Sequence, residues 1–141
     1  MTPAALDGAP AISACLLELA GRVFAVEITQ AREVRVFEHY TVVPLAPAEL
    51  IGMTNLRGAI VPIVDLRARL GLPPHPRGGA IQTLVVEARD VRVALAIDGV
   101  LGVEALEEAG GGLRRGDERV PILDVAGIVD GLAGRTVETP A

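Results

Sequence analysis

Short hydrophobic runs, separated by pairs of turn-forming or charged residues, recur along the whole chain and predict a protein built mainly of β-strands. Within residues 23–28, larger apolar side chains alternate with Ala25 and Glu27, which is the two-residue period of a half-buried strand. Two hairpins are predicted. The first has the arms Leu16 to Leu19 and Val23 to Ile28, joined by a turn at Ala20-Gly21. The second has the arms Ile81 to Glu87 and Val91 to Ile97, joined by a turn at Arg89-Asp90.

Two more strands are predicted from the remaining apolar segments. Ile60 to Leu66 is a continuous apolar run broken only by Pro62. Because proline has no N–H to offer a neighbouring strand, this run suits an edge strand or a bulge. Val120 to Leu123 predicts a short final strand.

Helical signals are brief and come directly after these two strands. An aspartate that can cap a helix stands before a few helix-compatible residues, and a glycine that can end the helix follows. The first predicted helix is Leu66 to Leu70, capped by Asp65 and ended by Gly71. The second is Val125 to Val129, capped by Asp124 and ended by Gly131.

The two halves of the chain repeat the same order of elements. Phe24 to Ile28 matches Val93 to Ile97, and Val61 to Leu66 matches Val120 to Val125. A duplicated small β unit is therefore expected, and the second copy is trimmed because it reaches its Val-Pro-Ile strand sooner. Short, closely spaced strands with few helices favour an all-β fold of two small barrels that are filled by their own side chains.

Composition narrows the classes of function. The 141 residues are 50% hydrophobic and carry a net charge of −5, which counts against a nucleic-acid scaffold or a polybasic membrane anchor. All 13 basic residues are arginine, so a phosphate-binding lysine and Schiff-base chemistry are excluded. The start of the chain has no signal-peptide pattern and no run is long enough to cross a bilayer, so we expect a cytoplasmic protein.

Few residues have the type and spacing that a catalytic or metal-binding site requires. Cys15 is the only cysteine and lies among apolar neighbours, so we expect a core residue, and no metal-ligand spacing involves the two histidines. Asp65, Asp98 and Asp124 each end an apolar strand. They could form a metal or acid–base site in a small ligand-binding or enzymatic barrel, but helix caps and a turn explain them better.

One charged residue stands out between apolar runs. Arg57, in the string Asn55 to Gly58, must reach solvent, pair with a carboxylate or present its guanidinium to a partner. Composition leaves an intramolecular ion pair and an interface role equally open.

The residues around Arg57 resemble the CheW family, the adaptor proteins of bacterial chemotaxis signalling arrays. The resemblance covers roughly residues 12 to 132 and its longest motif is highly specific. The matching motifs are Glu33-Val34-Arg35, Pro44, Ala46-Pro47, Ile51-Gly52, the string from Asn55 to Arg67, and Ala96 to Val100.

The resemblance implies two SH3-like five-stranded β-barrels within residues 12–132, between a flexible lead-in (1–11) and a flexible tail (133–141). It also implies a non-catalytic adaptor without cofactor or metal. The expected partners are the cytoplasmic hairpin tip of methyl-accepting chemoreceptors and the regulatory domain of a histidine autokinase. Location at receptor arrays and weak association in a ring are expected as well.

The resemblance also implies which residues bind the receptor. Glu33 and Arg57 match positions at or near a receptor-facing groove between the barrels. Val34, Leu84 and Val86 match positions where apolar residues line that groove. Residues that bind the kinase are not assigned.

Three departures from the family pattern leave other roles open. Ala31 stands where a larger aliphatic residue is usual, and Val36 where glycine is common. The segment from Val100 to Val120 is short and contains Gly110 to Gly112, so one strand is expected to be missing or irregular. The alternatives are a paralogue in a pilus-motility or other non-flagellar pathway, and a ring-filling competitor that lacks kinase binding.

Overall fold

The computed structural model describes residues 10–76 and 78–138, with only the backbone described for 133–138. This part of the chain forms ten strands in two five-stranded sheets, followed by one helix. None of its helices is long and apolar enough to span a membrane. The elements are β1 (Ala11–Leu19), β2 (Arg22–Glu27), β3 (Ala31–Phe37), β4 (Leu50–Leu56), β5 (Ala59–Val64), β6 (Ile81–Ala88), β7 (Val91–Ala96), β8 (Gly99–Ala109), β9 (Gly112–Arg115), β10 (Glu118–Pro121) and α1 (Val125–Glu138).

The two sheets form two small barrels, which confirms the expected fold class. One has the strand order β10-β9-β8-β1-β2 and combines both ends of the chain, and we call it the split barrel. The other has the order β3-β6-β7-β5-β4, and we call it the central barrel. In each barrel a parallel contact joins the hairpin to the Val-Pro-Ile segment, Ala25 with Ile122 in one and Ala94 with Ile63 in the other.

The sequence repeat is present in three dimensions, but its two halves interlock. The first half gives hairpin β1–β2 to the split barrel and β3, β4 and β5 to the central barrel. The second half gives β6–β7 to the central barrel and β8, β9 and β10 to the split barrel. The repeated unit is therefore not a barrel by itself, since each barrel needs strands from both halves.

The second half is trimmed because one of its connections is shorter, and no strand is lost. Residues 38–49 join β3 to β4, whereas Gly110 and Gly111 alone join β8 to β9. The expectation of a missing strand after Val100 is wrong, because a two-residue turn connects β8 directly to its antiparallel partner. β8 does carry a bulge, and β3 carries one at the equivalent place.

The two hairpin turns are predicted correctly, whereas the edge strand predicted at Pro62 is wrong. Both predicted hairpin turns are present, with positive φ at Arg89 (52°) and Asp90 (62°) in the second. Pro62 lies in β5, which has neighbours on both sides and is not an edge strand. No N–H is needed from Pro62, because Met53 opposite it exchanges both backbone hydrogen bonds with Thr41.

The two predicted helices have different outcomes. Residues 67–71 form turns and no helix, because Gly71, with a φ of +72°, ends the segment after one turn. The second helix is confirmed, but α1 passes the predicted stop at Gly131 and ends at Glu138. The division into a lead-in, a domain and a tail stays a prediction, and residues 1–9 and 139–141 lie outside the described residues.

The largest hydrophobic cluster lies between the barrels, and we call it the inter-barrel core. It joins one face of β1–β2 to one face of β6–β7 and is covered by α1. Cys15 is buried in it, as expected, and burial raises the pKa of its thiol. Its buried residues are Cys15, Leu17, Leu19, Phe24, Val26, Val64, Leu66, Leu84, Val86, Val93, Leu95, Ile97, Leu123, Val125, Ile128 and Val129.

Candidate partner-binding surface

Arg57 stands at the tip of the β4–β5 hairpin. Arg57 and Gly58 both have positive φ, 51° and 87°, as a tight mirror-image turn requires. The Asn55 side-chain oxygen accepts a hydrogen bond of 3.0 Å from the Gly58 N–H and holds the turn closed. The Arg57 side chain is 59% exposed, so the turn presents it to solvent.

Arg57 forms an ion pair with Glu33 of β3. The pair is bidentate, since one guanidinium nitrogen donates to Glu33 Oε2 and the other, Nη2, donates to Oε1 at 3.1 Å. Arg35 Nη1 also donates to Glu33 Oε1, at 3.3 Å. The hydrogen bond from Arg57 lowers the pKa of Glu33, and the same carboxylate raises the pKa of Arg57. The intramolecular pair is present, and the interface role stays a prediction.

The Glu33–Arg57 pair connects the two edge strands of the central barrel. β3 and β4 are the outermost strands of this sheet, and a single bridge, Thr41 with Met53, pairs residues across the gap. Next to this bridge, Thr54 Oγ1 donates to the His39 carbonyl at 2.9 Å. In the split barrel, by contrast, β8 and β9 pair directly. Side chains therefore close part of the central barrel where backbone pairing is absent.

Of the three apolar residues expected at the groove, one lies on the surface. Val34 is 46% exposed beside Glu33, whereas Leu84 is 2% and Val86 0% exposed. Leu84 and Val86 belong to β6, which lies between β3 and β7 and turns this face toward the split barrel. They support the inter-barrel core and present no surface to a partner in this structure.

Sequence reasoning missed exposed apolar residues that border the inter-barrel core. Val36, next along the outer face of β3, is 57% exposed, and Val103 of β8 is 58% exposed. Val34 is the register partner of Leu84, and Val103 is the register partner of Cys15. Because Leu84 and Cys15 belong to the inter-barrel core, each exposed valine lies on the same sheet face as a core residue. The sequence repeat would have found Val103, because it occupies in β8 the place that Val34 occupies in β3.

The three strand-end aspartates have structural partners. Asp65 accepts hydrogen bonds from the backbone N–H groups of Arg67 (3.0 Å) and His75 (2.9 Å), and Asp124 accepts one from Gly127 (2.9 Å). Asp98 accepts from the Ala20 N–H at 2.6 Å. Its two oxygens also lie 2.6 and 2.8 Å from Arg67 Nη2. Among the described residues, no group of three or more histidine, cysteine or acidic side chains could hold a metal ion.

Known proteins resemble this chain in sequence and in fold. A probable chemotaxis protein CheW of Rhizobium etli is 40% identical over 77 residues, which is 55% of this chain and 50% of the relative. Protein PilI of Pseudomonas aeruginosa is 31% identical over 102 residues, 72% of this chain and 57% of PilI. The chain thus spans about half the length of the curated relatives it matches.

The fold has a solved counterpart as well. The scaffolding protein TtCheW from Thermoanaerobacter tengcongensis superposes with a TM-score of 0.70 at 22% identity, over 82% of this chain and 90% of TtCheW. The family model described as CheW-like domain matches residues 13–133. By this match, which takes in both barrels and the start of α1, the chain belongs to the CheW-like domain family.

Proposed function

We propose that this chain is a non-catalytic adaptor that couples chemoreceptors to a histidine autokinase in a bacterial chemosensory array. The observation that carries the proposal is the exposed Glu33–Arg57 pair beside Val34 on a CheW-like fold. The role needs no cofactor, and it places the protein in the cytoplasm at receptor arrays.

The chemistry of this surface suits a helical hairpin such as a receptor tip. Arg57 is fixed by two hydrogen bonds from its guanidinium to Glu33, so little side-chain freedom is left to lose on binding. Val34 and Val36 add apolar area that an amphipathic helix can cover. An arginine anchor bordered by apolar contacts is a common form of binding hot spot. The receptor-binding residues that we retain are therefore Glu33, Val34 and Arg57.

A non-flagellar pathway is the second candidate. PilI, which matches 72% of this chain, supports a role in such a pathway. The two-residue β8–β9 connection, much shorter than the equivalent β3–β4 connection, supports the variant in which the protein fills a ring without binding kinase.

The test is a titration of the purified chain against a receptor-tip hairpin and, separately, a kinase regulatory domain from the same genome. We expect both to bind, and Arg57→Glu to weaken receptor binding about 30-fold, as for a hot spot worth about 2 kcal/mol. The matched control is Arg89→Glu, since Arg89 is also an exposed, ion-paired arginine at the tip of a mirror-image turn.

The two titrations separate the candidates. Receptor binding without kinase binding would favour the ring-filling role. Loss of receptor binding in both arginine variants alike would show that the effect is general charge and not the Glu33–Arg57 pair. Binding to neither partner would overturn the proposal.

A further inference from the structure

Almost every arginine in the described part of the chain has a partner. Of the eleven side chains described, eight form ion pairs with carboxylates, and Arg22 lies over the Phe24 ring, 5.4 Å from its centre. The two that remain, Arg114 and Arg119, form no ion pair or side-chain hydrogen bond with a described residue. In an acidic protein with a net charge of −5, such unpaired cations are an exception that needs a reason.

The two unpaired arginines lie directly opposite each other. Arg114 of β9 and Arg119 of β10 are register partners, and both are exposed. Register partners in an antiparallel pair point to the same face, with Cβ atoms about 5 Å apart, and like charges so placed destabilise the sheet. We call these two residues the arginine pair. An anion placed between the two guanidinium groups would remove the repulsion.

The Arg119 side chain lies against two of the three glycines, Gly110 and Gly112. A Cβ atom at Gly112 would lie 3.0 Å from Arg119 Cγ, and one at Gly110 would lie 3.2 Å from Arg119 Nη2. The Arg119 side chain therefore runs across the β8–β9 turn, in space that any other residue would fill. The Val120 carbonyl oxygen, 2.7 Å from a Cβ at Gly112, also requires glycine there, and Gly111 has a φ of +88° in the turn.

The surroundings indicate which anion fits. Asp117 and Glu118 line the same shallow depression as the arginine pair, and Glu107 is the register partner of Arg114 on its other side. These carboxylates would repel a polyanion such as nucleic acid. One or two carboxylates on a folded surface can reach the guanidinium groups without approaching these acidic side chains. Arginine forks bind carboxylates in a bidentate manner.

We propose that the arginine pair, Arg114 and Arg119, is a docking point for a carboxylate-bearing surface of a partner protein. It lies on β9 and β10 of the split barrel, whereas the Glu33–Arg57 pair lies on the central barrel. The proposal does not depend on the adaptor function, since it rests on the pairing of charges within this chain alone.

The test measures binding of a fluorescent peptide whose only charged side chains are two adjacent glutamates, by anisotropy at several salt concentrations. We expect binding that weakens with salt, a loss of about tenfold in Arg114→Ala and in Arg119→Ala, and no binding in the double variant. Arg22→Ala is the matched control, because it removes an exposed positive charge from the same barrel and should change binding less than about twofold.

Thermal unfolding of the same variants separates docking from a structural role. Because Arg119 repels Arg114, Arg119→Gln should keep or raise the melting temperature while it weakens peptide binding. A lower melting temperature with unchanged peptide binding would overturn the proposal. The proposal also fails if the wild type does not bind the two-glutamate peptide at low salt, if Arg22→Ala loses as much binding, or if a short oligonucleotide or inorganic phosphate binds more tightly than the peptide.

Discussion

Glu33 accepts hydrogen bonds from Arg57 and Arg35, and its pKa is lowered chiefly by the bond from Arg57. A carboxyl whose pKa is lower in the folded than in the unfolded chain stabilises the fold above its unfolded pKa, about 4.3 for glutamate. That contribution is lost as the pH falls through the folded value. The exposed surface of the central barrel should therefore keep its ion pair at neutral pH and lose it in acid.

The first prediction is that Arg57→Ala raises the pKa of Glu33 toward the usual value for glutamate. NMR titration of the side-chain carboxyl groups measures this directly. Glu87 provides an internal control, because Arg92 and Arg32 lower its pKa and neither changes in the variant. An unchanged pKa at Glu33, or an equal rise at Glu87, would contradict the account of the ion pair.

The second prediction concerns Arg67, which is 8% exposed and has a buried Nε without a partner in the described part of the chain. Its Nη2 lies 2.6 and 2.8 Å from the oxygens of Asp98, and Asp98 also accepts from the Ala20 N–H. Asp98→Asn should lower the free energy of unfolding by about 2 kcal/mol, because it leaves a buried charge without its counter-charge. Urea denaturation measures the change.

The exposed pair of Arg89 and Asp130 is the control for that measurement. Asp130→Asn should change the free energy of unfolding by less than about 0.5 kcal/mol, since exposed ion pairs contribute little. Equal effects of the two substitutions would show that burial of Arg67 does not matter.

Among the elements, α1 depends on its first residues. Asp124 Oδ1 accepts the Gly127 N–H at 2.9 Å, and any side chain at Gly127 would collide with that carboxylate. The third prediction is that Asp124→Ala lowers the free energy of unfolding by about 1 kcal/mol, the usual effect of losing a helix N-cap. Asp117→Ala, an exposed turn aspartate without a hydrogen bond in the described structure, is the control. A smaller effect at Asp124 than at Asp117 would contradict the capping role.

The two hairpins could be predicted from the sequence, because the residues that form each turn are adjacent in the chain. The turn pairs Ala20-Gly21 and Arg89-Asp90 marked both hairpins because these positions adopt positive φ. Gly131 suggested the end of α1 too early, because packing of Leu132, the next residue, against the inter-barrel core outweighs the weak helix propensity of glycine. The end of such a helix depends on contacts between residues that are distant in sequence, and a local sequence pattern does not reveal those contacts.

The candidate surface was predictable only in part. Motif resemblance pointed to Glu33 and Arg57, although their contact spans 24 positions and no local period reveals it. The same resemblance pointed to Leu84 and Val86, which are buried. Their position in a near-continuous apolar strand favours burial on both faces, and that signal should have outweighed the motif. The arginine pair required the register of β9 and β10, which only the fold supplies.

The two barrels of the molecule are held together by the inter-barrel core. Each barrel takes its hairpin from one half and three strands from the other, and both share the inter-barrel core. The fourth prediction is one cooperative unfolding transition, because unfolding either barrel would expose the face of the inter-barrel core that the other barrel contributes. Differential scanning calorimetry should give equal calorimetric and van't Hoff enthalpies. Two separated transitions would contradict the interdependence of the barrels.

An adaptor must bind its two partners at the same time, and co-sedimentation measures this. Vesicles that display the receptor-tip hairpin are mixed with the kinase regulatory domain, with and without this chain. We expect the regulatory domain to sediment only when the chain is present, and we expect Arg57→Glu to reduce this recruitment strongly while Arg89→Glu retains it. A regulatory domain that stays in the supernatant while the chain itself sediments would contradict the adaptor role.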